Sequence, residues 1–293
     1  MSVVILDLEW NGAYSKRCRR FINEIIEFGA VKLDDDLNIT DSFSKLVKPQ
    51  IGKKLSSHVE ELTHISIEEL KQANNTFSHV LSDFARFLGD SLLMTWGKSD
   101  VLTLVENYKY YYNRDELFFI RSYCDLQLYC EKMLGVYDKS KQLGLSPCAE
   151  LLGIEQDGLD LHRACTDAKL SAECFKRLYN REELAKYITA VDEEFFKRLT
   201  FKPSFITDIN DSAVDKSQFF FNCNICGCKA VKKTKWENRN KSFRAFFECP
   251  NCKKRFMGRI SVKQMFDDVV ISKKIVELNK DKEKDKSSET EPE

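Results

Sequence analysis

The chain opens on an apolar run, Val3 to Trp10, interrupted only by Asp7 and Glu9. Alternate residues of a strand share a face. The run therefore predicts a buried strand that presents two carboxylates side by side, with Val4, Leu6 and Leu8 packing on the other face. Glu24 to Leu33 (EIIEFGAVKL) predicts a second strand, and Asp34-Asp35-Asp36 a solvated hairpin turn into a third near Ser42–Val47. From Thr76 to Leu88, the residues Phe77, Val80, Leu81, Phe84, Phe87 and Leu88 recur at helical spacing, and Gly89 stops the helix. Ser91–Trp96 and Phe118–Cys124 predict a fourth and a fifth strand. Between them a helix starts with Ser99 as its cap and buries Val101, Leu104, Val105 and Tyr108. Ser146-Pro147 marks a further helix start, with Ser as cap, and the segment ends at Gly153. Ala164, Ala168, Ala172, Phe175 and Leu178 line one face of a longer helix. Residues 181–199 read as one more amphipathic helix, 200–217 as a polar linker, and 279–293 as a charged segment too poor in apolar residues to fold.

Alternating strands and helices predict an α/β class for the first part of the chain. With 293 residues and 43% apolar content there is room for one ordinary domain and a smaller second one. No apolar run approaches the ~18 residues of a membrane span, and the N-terminus lacks a basic region and a cleavage site for export. Together with an odd cysteine total of 11, this predicts free thiols in a reducing, cytoplasmic setting. The zero net charge conceals an asymmetry. Residues 1–222 carry a net −7, whereas residues 223–259 hold 11 Lys and Arg against 2 Asp and Glu. So compact a positive field suits a polyanion, although a solvated basic face has the same composition.

Two adjacent carboxylates in an apolar run repel one another and resist ionisation unless a cation is shared between them. Oxygen ligands of this kind suit hard ions such as Mg²⁺ or Mn²⁺. An Asp-x-Glu pair also occurs on ordinary edge strands. Asp100 in Trp96-Gly97-Lys98-Ser99-Asp100 has the ordinary role of an acid in a first helical turn. His162, alone, fits a core or surface position equally well. His162 and Asp167 are five residues apart, a rotation of ~140° on a helix, so they do not share a helical face. His162 is therefore placed in the loop or first turn after Gly158–Leu161, with Asp167 on the helix.

The segments ILDLEWN (5–11), EIIEFGAVKL (24–33), ELTHIS (61–66), TWGKSD (95–100) and GLDLHRACTDA (158–168) resemble the DEDDh group of 3′→5′ exonucleases, and within it the ERI-1-like branch. The resemblance covers about residues 1–180. It implies a ribonuclease H-like mixed five-stranded sheet flanked by helices. It also implies that Asp7, Glu9, Asp100 and Asp167 hold two Mg²⁺ or Mn²⁺ ions, with Asp7 bridging, and that His162 is the general base on the attacking water. Two such ions lower the pKa of bound water and stabilise charge on attacking and leaving oxygens. The implied product is a nucleoside 5′-monophosphate from a 3′ end, with RNA favoured over DNA and a single-stranded 3′ end as partner. Leu62 and Thr63 match a motif that packs against the terminal nucleotides in this family, although His64 stands where Gly is usual. Trp10 and Asn11 are candidates for contact with the 3′ nucleotide; Trp10 serves equally as core.

Cys223-x-x-Cys226 and Cys249-x-x-Cys252, with 22 residues between them, form two knuckles of the kind that close a tetrahedral four-cysteine site around one structural Zn²⁺. Redox pairs are the alternative, and Cys228 is a spare thiol. Lys233, Lys235 and Arg244 are candidates for phosphate contact, and Trp236, Phe243 and Phe246 for base stacking or for the module's own small core. The expected organisation is an exonuclease domain over 1–180, a helix and linker over 181–217, a small nucleic-acid-binding zinc ribbon over 218–262, and a helical or disordered charged tail over 263–293. The competing function is a catalytically idle nucleic-acid-binding regulator that keeps the exonuclease shell. Protein partners are not specified by the sequence.

Overall fold

A computed structural model describes residues 2–138, 141–156, 158 and 162–278. The chain divides into two compact units, Met1–Thr200 and Phe201–Glu293. In the first, strands β1 (Val3–Ser15), β2 (Arg20–Leu33) and β3 (Ile39–Leu46) precede helices α1 (Ser57–Thr63), α2 (Ile67–Gln72) and α3 (Phe77–Leu88). Then follow β4 (Leu92–Thr95), α4 (Ser99–Tyr112), β5 (Ser122–Asp125), α5 (Leu126–Met133), α6 (Leu145–Leu151), α7 (Ala164–Leu178), α8 (Arg181–Ala185), β6 (Thr189–Ala190) and α9 (Glu193–Thr200).

The strands form one mixed sheet in the order β3-β2-β1-β4-β5-β6. β1 is antiparallel to β2 and parallel to β4, and β5 is parallel to β4. This is the mixed α/β sheet with flanking helices expected from the sequence, lengthened by the two-residue β6 on the edge. Leu6, Leu8, Phe28, Phe84 and Leu104 pack one face of the sheet with α3 and α4. Ile5, Val31, Met94, Tyr129, Cys148 and Phe175 pack the other with α5, α6 and α7. Between Glu9 and Trp10 the β1–β2 register slips, since Glu9 faces Glu27 but Trp10 faces Ile25. Buried Asn107 on α4 satisfies the backbone near this bulge: it accepts from the Ile25 N–H at 3.2 Å and donates to the Asn23 carbonyl at 2.7 Å.

Several local expectations change. Ser99 is the first helical residue of α4 and makes no cap; Lys98 holds the cap position. The fifth strand covers only Ser122–Asp125, because Phe118 and Phe119 lie in a turn. The cap of α6 is Gly144, and Ser146 instead donates to the Gln156 side chain at 2.7 Å. Pro147 still falls in the first turn, where a missing N–H costs nothing. The single helix expected over 181–199 is two short helices separated by β6, because Val191 and the strand residues before it pair with the β5 edge. Among the described residues no helix is long and apolar enough to cross a membrane.

The second unit is a sheet of β7 (Ser204–Ile206), β8 (Val231–Lys232), β9 (Glu237–Asn238), β10 (Phe243–Glu248), β11 (Arg255–Gln264) and β12 (Val269–Glu277). Its path is β12-β11-β10-β8, with β7 on β11 and β9 on β10. Part of the expected linker is therefore strand. The expected helix beyond residue 263 is also strand, its residues Val270, Ile271 and Ile275 set among polar ones against β11. Phe221, Phe243, Phe247, Phe256, Ile260 and Val262 form an apolar centre. The disorder expected for 279–293 concerns residues outside those described.

Candidate active site and cysteine centre

The parallel pairing of β1 with β4 ends at Leu6. Asp7 and Glu9 thus lie just past the end of β4, at the carboxyl edge where open α/β sheets hold their ligands. Beyond that end, the Leu8 N–H is taken by Asp100 Oδ1 at 3.0 Å. Asp100 is carried there by the first turn of α4.

Asp167 arrives from α7, whose start is fixed by β2. Buried Glu27, paired across from Glu9, receives the Arg163 guanidinium (NH2 to Oε1 at 2.8 Å) and the Ala164 N–H at 3.1 Å. Gly29, paired across from Asp7, permits the approach. A Cβ on it would stand 2.0 Å from the backbone carbon of Ala164. Gly29→Ala is therefore expected to displace α7, lower stability by about 3 kcal/mol or more and abolish turnover; urea unfolding and an activity assay measure both.

Carboxylate oxygens of Asp7, Glu9 and Asp167 lie within 4.8 Å of one another. Asp100 stands outside that trio, held by Leu8, yet close enough to act on Asp7. Burial, then the charge of Asp100, raises the Asp7 pKa well above the usual carboxylate range. Burial and Asp167 push Glu9 up to about 8, and burial pushes Asp100 up to about 7. Asp167 is raised by burial too, against the opposing pull of His162. An all-oxygen set that resists losing its protons fits a hard divalent cation. His162 is exposed, has a left-handed backbone (φ 65°), and its N–H donates to Asp167 Oδ2 at 3.2 Å. It sits just before α7.

The anticipated substrate residues divide. Trp10 packs partly against the core. Asn11 is 3% exposed and its amide is spent: Nδ2 donates to the Lys54 carbonyl and Oδ1 accepts from the Ser56 N–H, both at 3.0 Å. Both polar atoms of its side chain are thus engaged in holding that loop. Leu62 is exposed at the end of α1, while the buried Thr63 hydroxyl donates to the Val59 carbonyl at 2.8 Å. His64 adopts φ 56° as the helix cap. That is the left-handed shape glycine takes freely, so the backbone is kept although the residue differs.

In the second unit, Cys223, Cys226, Cys249 and Cys252 bring their sulfurs together, with separations of 3.5 Å (223 to 252), 3.3 Å (226 to 249) and 3.7 Å (226 to 252). Zn–S bonds of about 2.3 Å give a tetrahedral edge of about 3.8 Å, so the set fits zinc. The Cys228 N–H, then the Cys249 thiol, hold Cys226 down at about 6, poised as a thiolate. Cys228 is not among the four; its carbonyl accepts from the Cys223 N–H at 2.8 Å. Lys235 and Phe246 are exposed, Lys233 pairs with Glu248 at 3.7 Å, and Trp236 leans on Phe219 and Phe247. Phe243 is core, contrary to a stacking role. Arg244 is half-buried, and its Nε has no hydrogen-bond partner among the described residues.

Glu27, Arg163, Gly29 and Asn107 were not anticipated. Glu27 carried a usable signal: like Asp7 and Glu9, it is an acid inside an apolar run.

The exonuclease (RNase T) family model matches residues 4–175. PolC-type DNA polymerase III from Thermotoga petrophila and from Thermotoga maritima is 28% identical over 180 residues, which is 59% of this chain and 12% of each polymerase. The chain thus aligns with only about an eighth of the length of those relatives. Among solved structures, one of a 3′-exonuclease recognising a histone mRNA stem-loop aligns at 23% identity and TM-score 0.54, over 66% of this chain and 91% of that one. The nuclease domain of 3′hExo, a DEDDh family member bound to rAMP, aligns at 24% identity and TM-score 0.52, over 60% and 90%.

Proposed function

Since the chain belongs to the exonuclease family, we propose that its first unit is a metal-dependent 3′→5′ exonuclease that releases nucleoside 5′-monophosphates from RNA more readily than from DNA. The observation that carries this is the convergence of Asp7, Glu9 and Asp167 within 4.8 Å at the sheet edge. Asp7, Glu9, Asp167 and the adjoining Asp100 would hold two Mg²⁺ or Mn²⁺ ions, which when bound supply Lewis-acid activation of water and charge neutralisation at phosphorus. His162, exposed beside Asp167, takes the proton from the attacking water. Exposed Leu62 offers an apolar surface to the terminal base. In the second unit a Zn²⁺ on the four cysteines holds the ribbon. There Lys233, Lys235, Arg244 and the exposed Phe246 capture the nucleic acid, with Trp236 alongside. RNA is favoured because the fold-level relatives include a protein recognising an mRNA stem-loop.

Matched RNA and DNA oligonucleotides, single- and double-stranded, labelled at the 3′ end, test this with the purified chain. With Mg²⁺ or Mn²⁺, single-stranded RNA is expected to lose its label fastest, as a mononucleotide, and EDTA to stop the reaction. Internal cleavage products, or turnover unaffected by EDTA, would overturn it. Binding without any turnover would favour the idle regulator.

A further inference from the structure

The acidic balance of the first unit hides a local reversal. Residues 15–21 read SKRCRRF, and they form the tip of the β1–β2 hairpin. Arg20 is engaged by Glu106 at 3.0 Å, and Arg17 lies over the Tyr110 ring, 4.2 Å from its centre. Lys16 and Arg19 are exposed and make no ion pair among the described residues.

A second basic element faces the same strand. Glu24 on β2, only 2% exposed, accepts from the N–H groups of Gln50, Ile51 and Gly52. Asn11 on β1 fixes Lys54 and Ser56. Two buried polar side chains are thus committed to shaping one loop. That loop displays Lys53 and Lys54, exposed or nearly so and likewise without an ion pair among the described residues. Between loop and hairpin runs an open groove of about 720 Å³ lined by Gly12, Tyr14, Lys16, Lys53, Lys54 and Tyr110. Tyr14 is 52% exposed and meets the 70% exposed Phe21 edge-on at 5.4 Å. The floor of the groove is β1 itself, which leads from Glu9 to Ser15, about 20 Å at ~3.3 Å per residue.

We infer that this groove is a second nucleic-acid-binding surface, within the first unit, that carries the single strand on the 5′ side of the scissile bond. The inference rests on the exonuclease reading. Lys16, Lys53 and Lys54 meet phosphates in the groove and Arg19 meets one from the adjoining hairpin tip, Tyr14 offers a ring to a base, and exposed Gly12 leaves room for the strand to lie close. The hydrogen bonds with Glu24 and Asn11 fix the loop backbone from which the two lysines project, which lowers the ordering cost of binding.

The test uses the full chain carrying Lys16→Ala, Arg19→Ala, Lys53→Ala and Lys54→Ala together. None of these residues belongs to the carboxylate cluster. Fluorescence anisotropy, in an Asp7→Asn background that does not turn over, measures binding of 3-mer and 15-mer single-stranded RNA across salt concentrations. The fourfold variant is expected to bind the 15-mer about tenfold or more weakly. Its log K against log salt should be shallower by about 3, at ~0.7 per phosphate contact. The 3-mer should be bound, and with Asp7 restored be turned over, as before. Unchanged 15-mer affinity and slope overturn the inference, as does an equal loss for both lengths. So does displacement of the 15-mer by polyglutamate as readily as by unlabelled RNA, which would mark the groove as a site for acidic protein. If no oligonucleotide is turned over at all, the exonuclease reading fails, while the binding comparison still decides the groove.

Discussion

Asp7→Asn is expected to fold, to lose turnover by about 10³-fold or more, and to be more stable than the parent chain when divalent ions are absent. The loss follows from the place of Asp7 among the carboxylates: burial raises its pKa most, and Asp100, Glu9 and Asp167 raise it further, so it feels the whole cluster. Removing its charge removes the cation site they share, an effect worth several kcal/mol in a hydrolytic transition state. The gain in stability follows from the same fact. The native state holds mutually repelling acids that the unfolded chain would separate. Their folded-state pKa values are raised, Glu9 to about 8 and Asp100 to about 7 from ordinary values of 4.5 and 3.8. The folded chain therefore binds more protons than the unfolded one between roughly pH 4 and 8, and this contribution to stability declines as pH rises through that window. Thermal unfolding without metal at pH 5.5 and 8 should show a steeper decline for the parent chain than for Asp7→Asn. Added Mn²⁺ should raise the parent's melting temperature at pH 8 and leave the variant's nearly unchanged. Full activity in the variant, or an equal response to Mn²⁺, would sink the assigned role.

Cys249→Ser is expected to have the second largest effect. The fully buried Cys249 stands 3.3 Å from Cys226, and its N–H donates to the Lys254 carbonyl at 2.9 Å. One lost thiolate leaves three ligands for zinc, whose binding in small modules is worth on the order of 10 kcal/mol. Bound zinc measured by atomic absorption should fall from one per chain to near zero. Amide signals from residues 223–228 and 249–254 should lose their dispersion. The aromatic centre around Phe247 and Phe256 lies outside the knuckles, so the sheet should survive in part, with a melting transition lowered by about 10 °C or more. First-unit turnover of a dinucleotide should be untouched. Stoichiometric zinc in the variant would show that Cys228 or another group can replace the lost ligand.

In the first sheet β1, β2 and β4 were legible because apolar residues run through them, and the helix at Phe77–Leu88 because its stripe is clean, whereas the short β5 and the two-residue β6 carry no such run. Asp7 and Glu9 stood out as polar residues in an apolar run, whereas Asp100 and Asp167 were singled out only through the family motifs. What the sequence withheld was long-range. Asn11 follows the acid pair and invites a substrate role, but only the fold shows its amide tied to a loop 43 and 45 residues away. The reach of Arg163 to Glu27 spans 136 residues and has no local signature. Residues 181–199 have helical periodicity throughout, yet the exposed β5 edge draws Thr189–Ala190 into pairing, so tertiary context overrides propensity. The strand at Val269–Glu277 was obscured by its own lysines: Lys273 shares a face with Ile271 and Ile275, its Nζ 3.9 Å from the centre of the Phe220 ring, while Lys274 turns to the opposite face.

The carboxylates of the first unit are mounted on a central strand and two helix starts, and these are braced by Gly29, Glu27 and Asn107. Lys16, Arg19, Lys53 and Lys54 instead sit on a hairpin tip and a surface loop. On the role inferred for the groove between tip and loop, cutting chemistry and grip are thus carried by separate segments of the chain. Exchanging the loop at 50–56 or the tip at 16–19 for others of similar span is then expected to change the strand length or charge density that is held, while the carboxylates keep their mounting.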